Sequence, residues 1–235
     1  MRASWSTTSS TASCELEVVR HPRARTARLS VDSASGRVRL TLPKRAALAP
    51  ALAWAAGKRD WIVAQQARLP VARPFVPGAT IPFGDETLTI DWAPTRSRLV
   101  RREGELLLCG GPQDGLARRI EAYLKRTALA LLRDETLACA ARAGVDVAAV
   151  AVGDPRGRWG SCSSRGTIRY SWRLVLAPGF VRRSTVAHEV AHRVYMNHSP
   201  AFHACAAALG GEDDRAAHAW LREHGAGLHW IGRAG

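Results

Sequence analysis

The residues best equipped for chemistry are His188, Glu189 and His192, in the run His188-Glu189-Val190-Ala191-His192. On a helix each residue turns by about 100°, so the two histidines lie about 40° apart on one face. Their imidazoles can then reach one metal ion, with Zn–N distances of about 2.0–2.1 Å. Glu189 adjoins the first ligand, where its carboxylate can accept a proton from a metal-bound water. Two helical histidines and a glutamate base are the parts that metal-assisted hydrolysis needs.

A third ligand comes from His198, ten residues past His188. On an unbroken helix it would point roughly 80° off the ligand face and sit about 15 Å further along. The helix must therefore stop first. Asn197 tolerates the left-handed conformation that closes a helix. Ser199-Pro200 reads as the N-cap and first residue of a new helix. His198 then occupies the corner between two helices and can fold back to the metal. Three histidines leave a fourth position open for water, as in catalytic zinc sites.

The rest of the chain must position these groups. At 235 residues, 46% hydrophobic and 23% charged, it can bury a real core in one domain or two small ones. The net charge of +14 is carried almost wholly by arginine and is spread over both halves. Such an excess favours contact with a polyanion such as nucleic acid. Five cysteines, an odd number with no Cys-x-x-Cys, argue against a disulfide framework or zinc ribbon and for a reducing compartment. No apolar run is long enough to span a bilayer and no signal-peptide pattern opens the chain, so a soluble cytoplasmic protein without membrane contact is expected.

The Ser/Thr-rich residues 1–13 predict a flexible tail. Residues 14–110 predict a β-rich region, with strands over Glu15–Val19, Ala27–Val31, Arg37–Leu42, Thr87–Trp92, Arg98–Arg101 and Glu105–Cys109. A helical insertion runs from Ala46 to Leu69, broken at Gly57, with Trp54, Trp61 and Ile62 expected in the core. Pro70–Pro82, rich in Pro and Gly, reads as a linker or a subdomain boundary. Arg20, Arg23, Arg25 and Arg28 cluster at the first hairpin, either as a solvated face or as a contact for an acidic partner.

Residues 111–235 predict the catalytic region. Leu116, Ile120, Leu124, Ala128, Leu131, Leu132 and Leu137 recur at helical spacing over Leu116–Arg142, with Gly144 as the stop. A short strand over Val145–Val152 and a hairpin through Arg158–Gly166 into a strand over Thr167–Leu176 precede the metal helix, Phe180–Met196. A strand edge beside the metal could hold an extended peptide through backbone hydrogen bonds. Helices over Pro200–Leu209 and Glu212–Glu223 follow, the second with Asp213 and Asp214 in its first turn. Cys162 reads as an ordinary buried thiol rather than a nucleophile or a redox thiol, since no dedicated base accompanies it and cysteine is usually buried. Tyr170, Tyr195 and Arg158 are alternative donors to an oxyanion. His203 reads as a surface residue or a support behind the metal ligands rather than a ligand itself, and His218 as a surface or packing residue.

Several of these segments resemble the YgjP-like metallopeptidase family, a relative of the SprT-like zinc peptidases. They are Arg158-Trp159-Gly160-Ser161-Cys162-Ser163, Trp172-Arg173-Leu174-Val175-Leu176-Ala177-Pro178, the His188–His192 run, and Met196-Asn197-His198-Ser199 with Phe202. The match is dense over residues 145–225 and looser before them. The chain departs from the pattern at His203, where an aromatic residue is more usual, and after Gly210. The resemblance implies an α+β fold with a β-rich N-terminal region packed with a zincin-like metallopeptidase domain. It also implies His188, His192 and His198 as ligands of one Zn2+ and Glu189 as catalytic base; a protein or peptide substrate is the expectation from such a site. Two other functions fit the same residues. One is a basic nucleic-acid-associated module with a structural metal; the other is a metal hydrolase acting on non-peptide amides.

Overall fold

The computed structural model describes residues 2–5, 14–210 and 214–234. The chain divides into two compact units, Met1–Val71 and Ala72–Gly235. The β-rich part read from the sequence ran on to residue 110; the strands after residue 79 instead share the second unit's core.

In the first unit, β1 (Arg2–Trp5), β2 (Cys14–His21), β3 (Arg28–Val31) and β4 (Val38–Pro43) form a sheet in the order β1-β2-β4-β3. A strand at Arg2–Trp5 therefore lies within the segment read as a tail; residues 6–13 of that segment lie outside the described residues. β2 runs parallel to β4, and β3 returns antiparallel on its far side. The alternation in β4 explains the layering: Val38, Leu40 and Leu42 are buried while Arg39 is exposed. Helices α1 (Leu48–Ala56) and α2 (Arg59–Gln66) cover the apolar face through Ala51, Ala55 and Ile62. Trp54 and Trp61, expected in that core, are 42% and 41% exposed. On α1 the small residues Ala51 and Ala55 face the core, and the bulky Trp54 lies off that face of the helix.

The second unit repeats this plan. β5 (Thr80–Phe83), β6 (Glu86–Trp92), β7 (Arg101–Glu103) and β8 (Leu106–Cys109) lie in the order β5-β6-β8-β7, with β6 and β8 parallel and the outer strands antiparallel. β5 falls in the stretch read as a linker because of its prolines. Pro82 is tolerated there because β5 is an edge strand. The strand read at Arg98–Arg101 begins only at Arg101.

Next comes α3 (Leu116–Ala143), the central strut. Leu116, Ile120, Leu124, Ala128 and Leu132 form its buried stripe, and each leucine or isoleucine contributes about 1.5–3 kcal/mol relative to exposure. The stripe continues through Thr136, Cys139 and Ala140, which leaves Leu137 45% exposed. Gly144, at φ 65°, supplies the left-handed stop.

β9 (Ala149–Gly153), β10 (Gly160–Cys162) and β11 (Thr167–Ser171) form a small sheet ordered β10-β11-β9. β11 was read as running to Leu176. It ends at Ser171, whose Oγ accepts the Arg173 amide and starts a tight 3₁₀ turn over Trp172–Leu176. The helices α4 (Gly179–Ala191), α5 (Pro200–Gly210) and α6 (Asp214–Leu228) complete the unit. Glu212 and Asp213, read into the last helix, lie outside the described residues. The mixed α+β architecture expected from the sequence is thus present, with small mixed sheets and helices around α3 and α4.

Candidate metal centre

The site is built on α4. The Gly179 amide donates to Oδ1 of Asp85 at 3.1 Å, which satisfies one exposed donor of the helix start. Val181, Val186 and Val190 bury one side of the helix in the core. Arg182 donates through Nε to both carboxylate oxygens of Glu135 at 3.0 Å, fastening α4 to α3. The helix so held projects Ser184, His188 and Glu189 towards β10 and α6.

The helix ends at Ala191, five residues earlier than its pattern suggested. The Arg193 amide reaches the Val190 carbonyl at 2.8 Å and the Val194 amide reaches that of Ala191 at 3.0 Å. These three-residue closures tighten the last turn. His192 stands at the helix end, and its Nδ1 meets the Tyr195 carbonyl at 3.1 Å. That contact favours a proton on Nδ1 and leaves the Nε2 lone pair free. The chain then turns at Asn197, whose side chain accepts the Ser199 amide, and Ser199 Oγ accepts the Phe202 amide as the cap of α5.

This corner returns His198 to the helix. One ligand nitrogen from each of His188, His192 and His198 lies within 4.8 Å of the others. His188 Nε2 and His198 Nε2 are 3.3 Å apart. Two nitrogens each about 2.0–2.1 Å from a tetrahedral ion would be separated by about 3.3–3.4 Å, so this pair fits such an ion without adjustment. Phe202, fully buried, forms the floor: its ring centroid lies 4.9, 4.5 and 4.8 Å from those of His188, His192 and His198.

Burial pushes the His188 pKa down to about 4, assisted by His192 and opposed by Asp214. Burial also lowers His192. Neutral imidazoles with free lone pairs suit a cation. Glu189 is only 6% exposed, and burial raises its carboxyl to about 7 against the opposing charge of Arg158. A proton acceptor near neutrality therefore lies beside the histidine group. A cavity of about 290 Å³ opens on His188 and Glu189, walled by Trp159, Ser184, Ala217 and Leu221.

The other candidate residues separate clearly. Tyr170 is buried and its hydroxyl meets Thr136 Oγ1 at 3.0 Å, so it belongs to the core. Tyr195 is 37% exposed on the turn after α4. Arg158 stays exposed with its charge acting on Glu189. Burial raises the Cys162 thiol, which disfavours a thiolate. Three features escaped the sequence reading. Gly160 faces the Glu189 carboxylate, Phe202 supports all three imidazoles, and Asp214 and His218 form a second possible ligand group with His188. The spacing of Asp214 and His218, one helical turn apart, was the available signal.

A small mixed sheet packed on a helix that carries paired histidines and a buried glutamate defines a zincin-like fold. The chain belongs to the YgjP-like metallopeptidase family, whose description "YgjP-like, metallopeptidase domain" matches residues 25–224. Neither the curated proteins nor the solved structures contain a match. Membership supports a metal-dependent hydrolase with a protein or peptide substrate. No helix among the described residues is long and apolar enough to cross a membrane.

Proposed function

We propose that the chain is a zinc-dependent peptidase in which His188, His192 and His198 hold one zinc ion and Glu189 is the general base. The observation that carries this reading is the convergence of three imidazole nitrogens within 4.8 Å beside a carboxylate titrating at about 7. When bound, zinc supplies an acidified water and a Lewis acid for the scissile carbonyl. Three imidazoles also suit zinc better than a hard, oxygen-preferring cation. Glu189 takes the proton of the attacking water and passes it to the leaving amine. Arg158 is the favoured partner for the developing oxyanion, since Tyr170 is committed to Thr136. β10 is an edge strand, and its free edge can pair with an extended peptide. The free thiols Cys109, Cys139, Cys162 and Cys205 suit the cytoplasm.

The test is Glu189→Gln, assayed on an unstructured protein substrate with metal content measured in parallel. Hydrolysis should fall by about 10²–10⁴-fold while the metal stays bound. Full activity in this variant would remove the mechanism. Cleavage of small amides but of no peptide would move the assignment to a non-peptide substrate.

The first unit favours a second, compatible reading. Arg20, His21, Arg23 and Arg25 lie at the C-terminal end of β2 and beyond it, Arg28 opens β3, and Lys44 and Arg45 follow β4. Because β2 and β4 are parallel and β3 is antiparallel, all of these come to one end of the sheet. No Asp or Glu occurs between Val18 and Val31 or between Ser33 and Arg59. This end is proposed to contact the phosphate backbone of a nucleic acid. Replacing Arg23, Arg25 and Arg28 together by Ala should reduce the salt slope of binding by about 2–3. Wild-type binding without salt dependence would remove this reading.

A further inference from the structure

His188 presents a problem of orientation. Its Nε2 faces His198 at 3.3 Å, which assigns that nitrogen to the histidine group. Its Nδ1 is buried and has no hydrogen-bond partner among the described residues. A ligand imidazole that donates Nε2 to a metal carries its proton on Nδ1, and an unmet buried N–H is costly. Such a proton ordinarily goes to a carboxylate or carbonyl, which fixes the ring and its tautomer.

Asp214 is the carboxylate placed to receive it. It opens α6 beside the cavity, and one of its oxygens, a His188 nitrogen and a His218 nitrogen lie within 4.8 Å of one another. It is also held in place: Ser184 Oγ, one helical turn before His188, donates to Oδ1 at 2.8 Å. Oδ2 faces His218 Nε2 at a looser 3.6 Å. His218 itself is 54% exposed at its side chain, so it adds little constraint.

Resting on the proposed metal reading, we infer that Asp214 is a positioning residue: it accepts the Nδ1–H of His188, directly or through one water, and so aims Nε2 at the metal. Ser184 acts behind it by fixing the carboxylate. α6 is thereby a working part of the metal centre, reaching it from the far side of the cavity. The alternative use of the same atoms is a second metal site formed by His188, Asp214 and His218. That site would need His188 to give up both ring nitrogens to metals, which requires loss of the Nδ1 proton. The positioning role needs no such ionisation.

The experiment measures zinc affinity by competition with a chromophoric chelator, and zinc per chain by elemental analysis. It uses the full chain as wild type, Asp214→Ala, Asp214→Asn, Ser184→Ala and His218→Ala. Asp214→Ala should bind zinc about 10–100-fold more weakly, still at one per chain. Asp214→Asn keeps an acceptor oxygen and should lose less, Ser184→Ala should fall between it and wild type, and His218→Ala should stay close to wild type. The melting temperature of the metal-free protein should be the same for Asp214→Asn and wild type. Wild-type affinity in Asp214→Ala would overturn the inference. So would two zinc ions per wild-type chain with one lost in His218→Ala. A wild type that binds no zinc would instead overturn the metal reading itself, and this inference with it.

Discussion

A methyl group added at Gly160 would lie 2.3 Å from Oε1 of Glu189 and 2.6 Å from its Cγ. The edge strand therefore has no side chain at the one point where the buried carboxylate needs room. The three nearest atoms it would meet all belong to the Glu189 side chain. Gly160→Ala must therefore displace the Glu189 side chain from Cγ outward. The expected result is a loss of hydrolysis approaching that of removing the base, about 10²-fold or more, with zinc content and melting temperature near wild type. Turnover on an unstructured protein, measured beside metal content, decides it. Retained turnover would show that the position of Glu189 is not what the strand protects.

The shared floor under the histidines gives a second prediction. Phe202 is fully buried against His188, His192 and His198. Phe202→Ala should destabilise the second unit by about 3–5 kcal/mol through the lost transfer energy and the cavity left behind. It should also weaken zinc binding, because three rings lose the surface that holds them. Phe202→Leu fills more of the space and should recover most of the stability but less of the affinity. Denaturant unfolding and chelator competition on both variants separate packing from ring alignment.

The third prediction concerns acid. Burial alone would raise Asp154, but the hydrogen bonds and charge of Arg173 outweigh it and hold the carboxyl below its ordinary value. Nε and Nη2 of Arg173 donate to the two Asp154 oxygens at 2.7 and 3.0 Å, while Nη1 donates to the Leu228 and Ile231 carbonyls. A lowered carboxylate pKa contributes stability that is complete above the unfolded value of about 3.9 and is lost as pH falls through the folded one. Asp154→Asn should therefore cost about 2 kcal/mol near neutrality. That is less than the 3–5 kcal/mol of a fully buried pair, because the Asp154 side chain is 38% exposed. The gap to wild type should close below about pH 4. Urea unfolding from pH 3 to 7 reads this directly, and a pH-independent gap would contradict it.

These predictions also show where the sequence was informative. The clustering of His188, His192 and His198 was legible because helical spacing fixes His188 against His192, and because Asn197, Ser199 and Pro200 carry their own turn and cap chemistry. The α3 stripe was legible for the same reason, one periodicity over many residues. What escaped depends on elements distant in the chain. Asp214 meets Ser184 and Gly160 meets Glu189 only after the sheet and α6 have packed. The ends of α4 and β11 were read too long because their apolar patterns continue past the residues where local amide closures tighten the chain. Trp54 and Trp61 were placed inside by their size, whereas the helix residues buried in that core are Ala51, Ala55 and Ile62. The shared strand order of the two sheets leaves no repeat in the sequence, since it fixes pairing and not residue identity.

The last prediction separates a ligand from a structural residue. His198 is exposed and lies on the turn between α4 and α5, so its side chain contributes little to the metal-free fold. His198→Ala should therefore melt like wild type once a chelator has removed the metal. With zinc added the two should part. A ligand that binds only the folded state at about 100 times its dissociation constant stabilises by about 2.7 kcal/mol. If His198→Ala weakens binding 100-fold, the same zinc concentration returns only about 0.4 kcal/mol. Thermal melting with chelator and with buffered zinc gives both numbers for each protein. Equal zinc shifts in the two would remove His198 from the ligand set and leave a two-histidine site. A lower melting temperature in chelator alone would mark His198 as a structural residue of the turn.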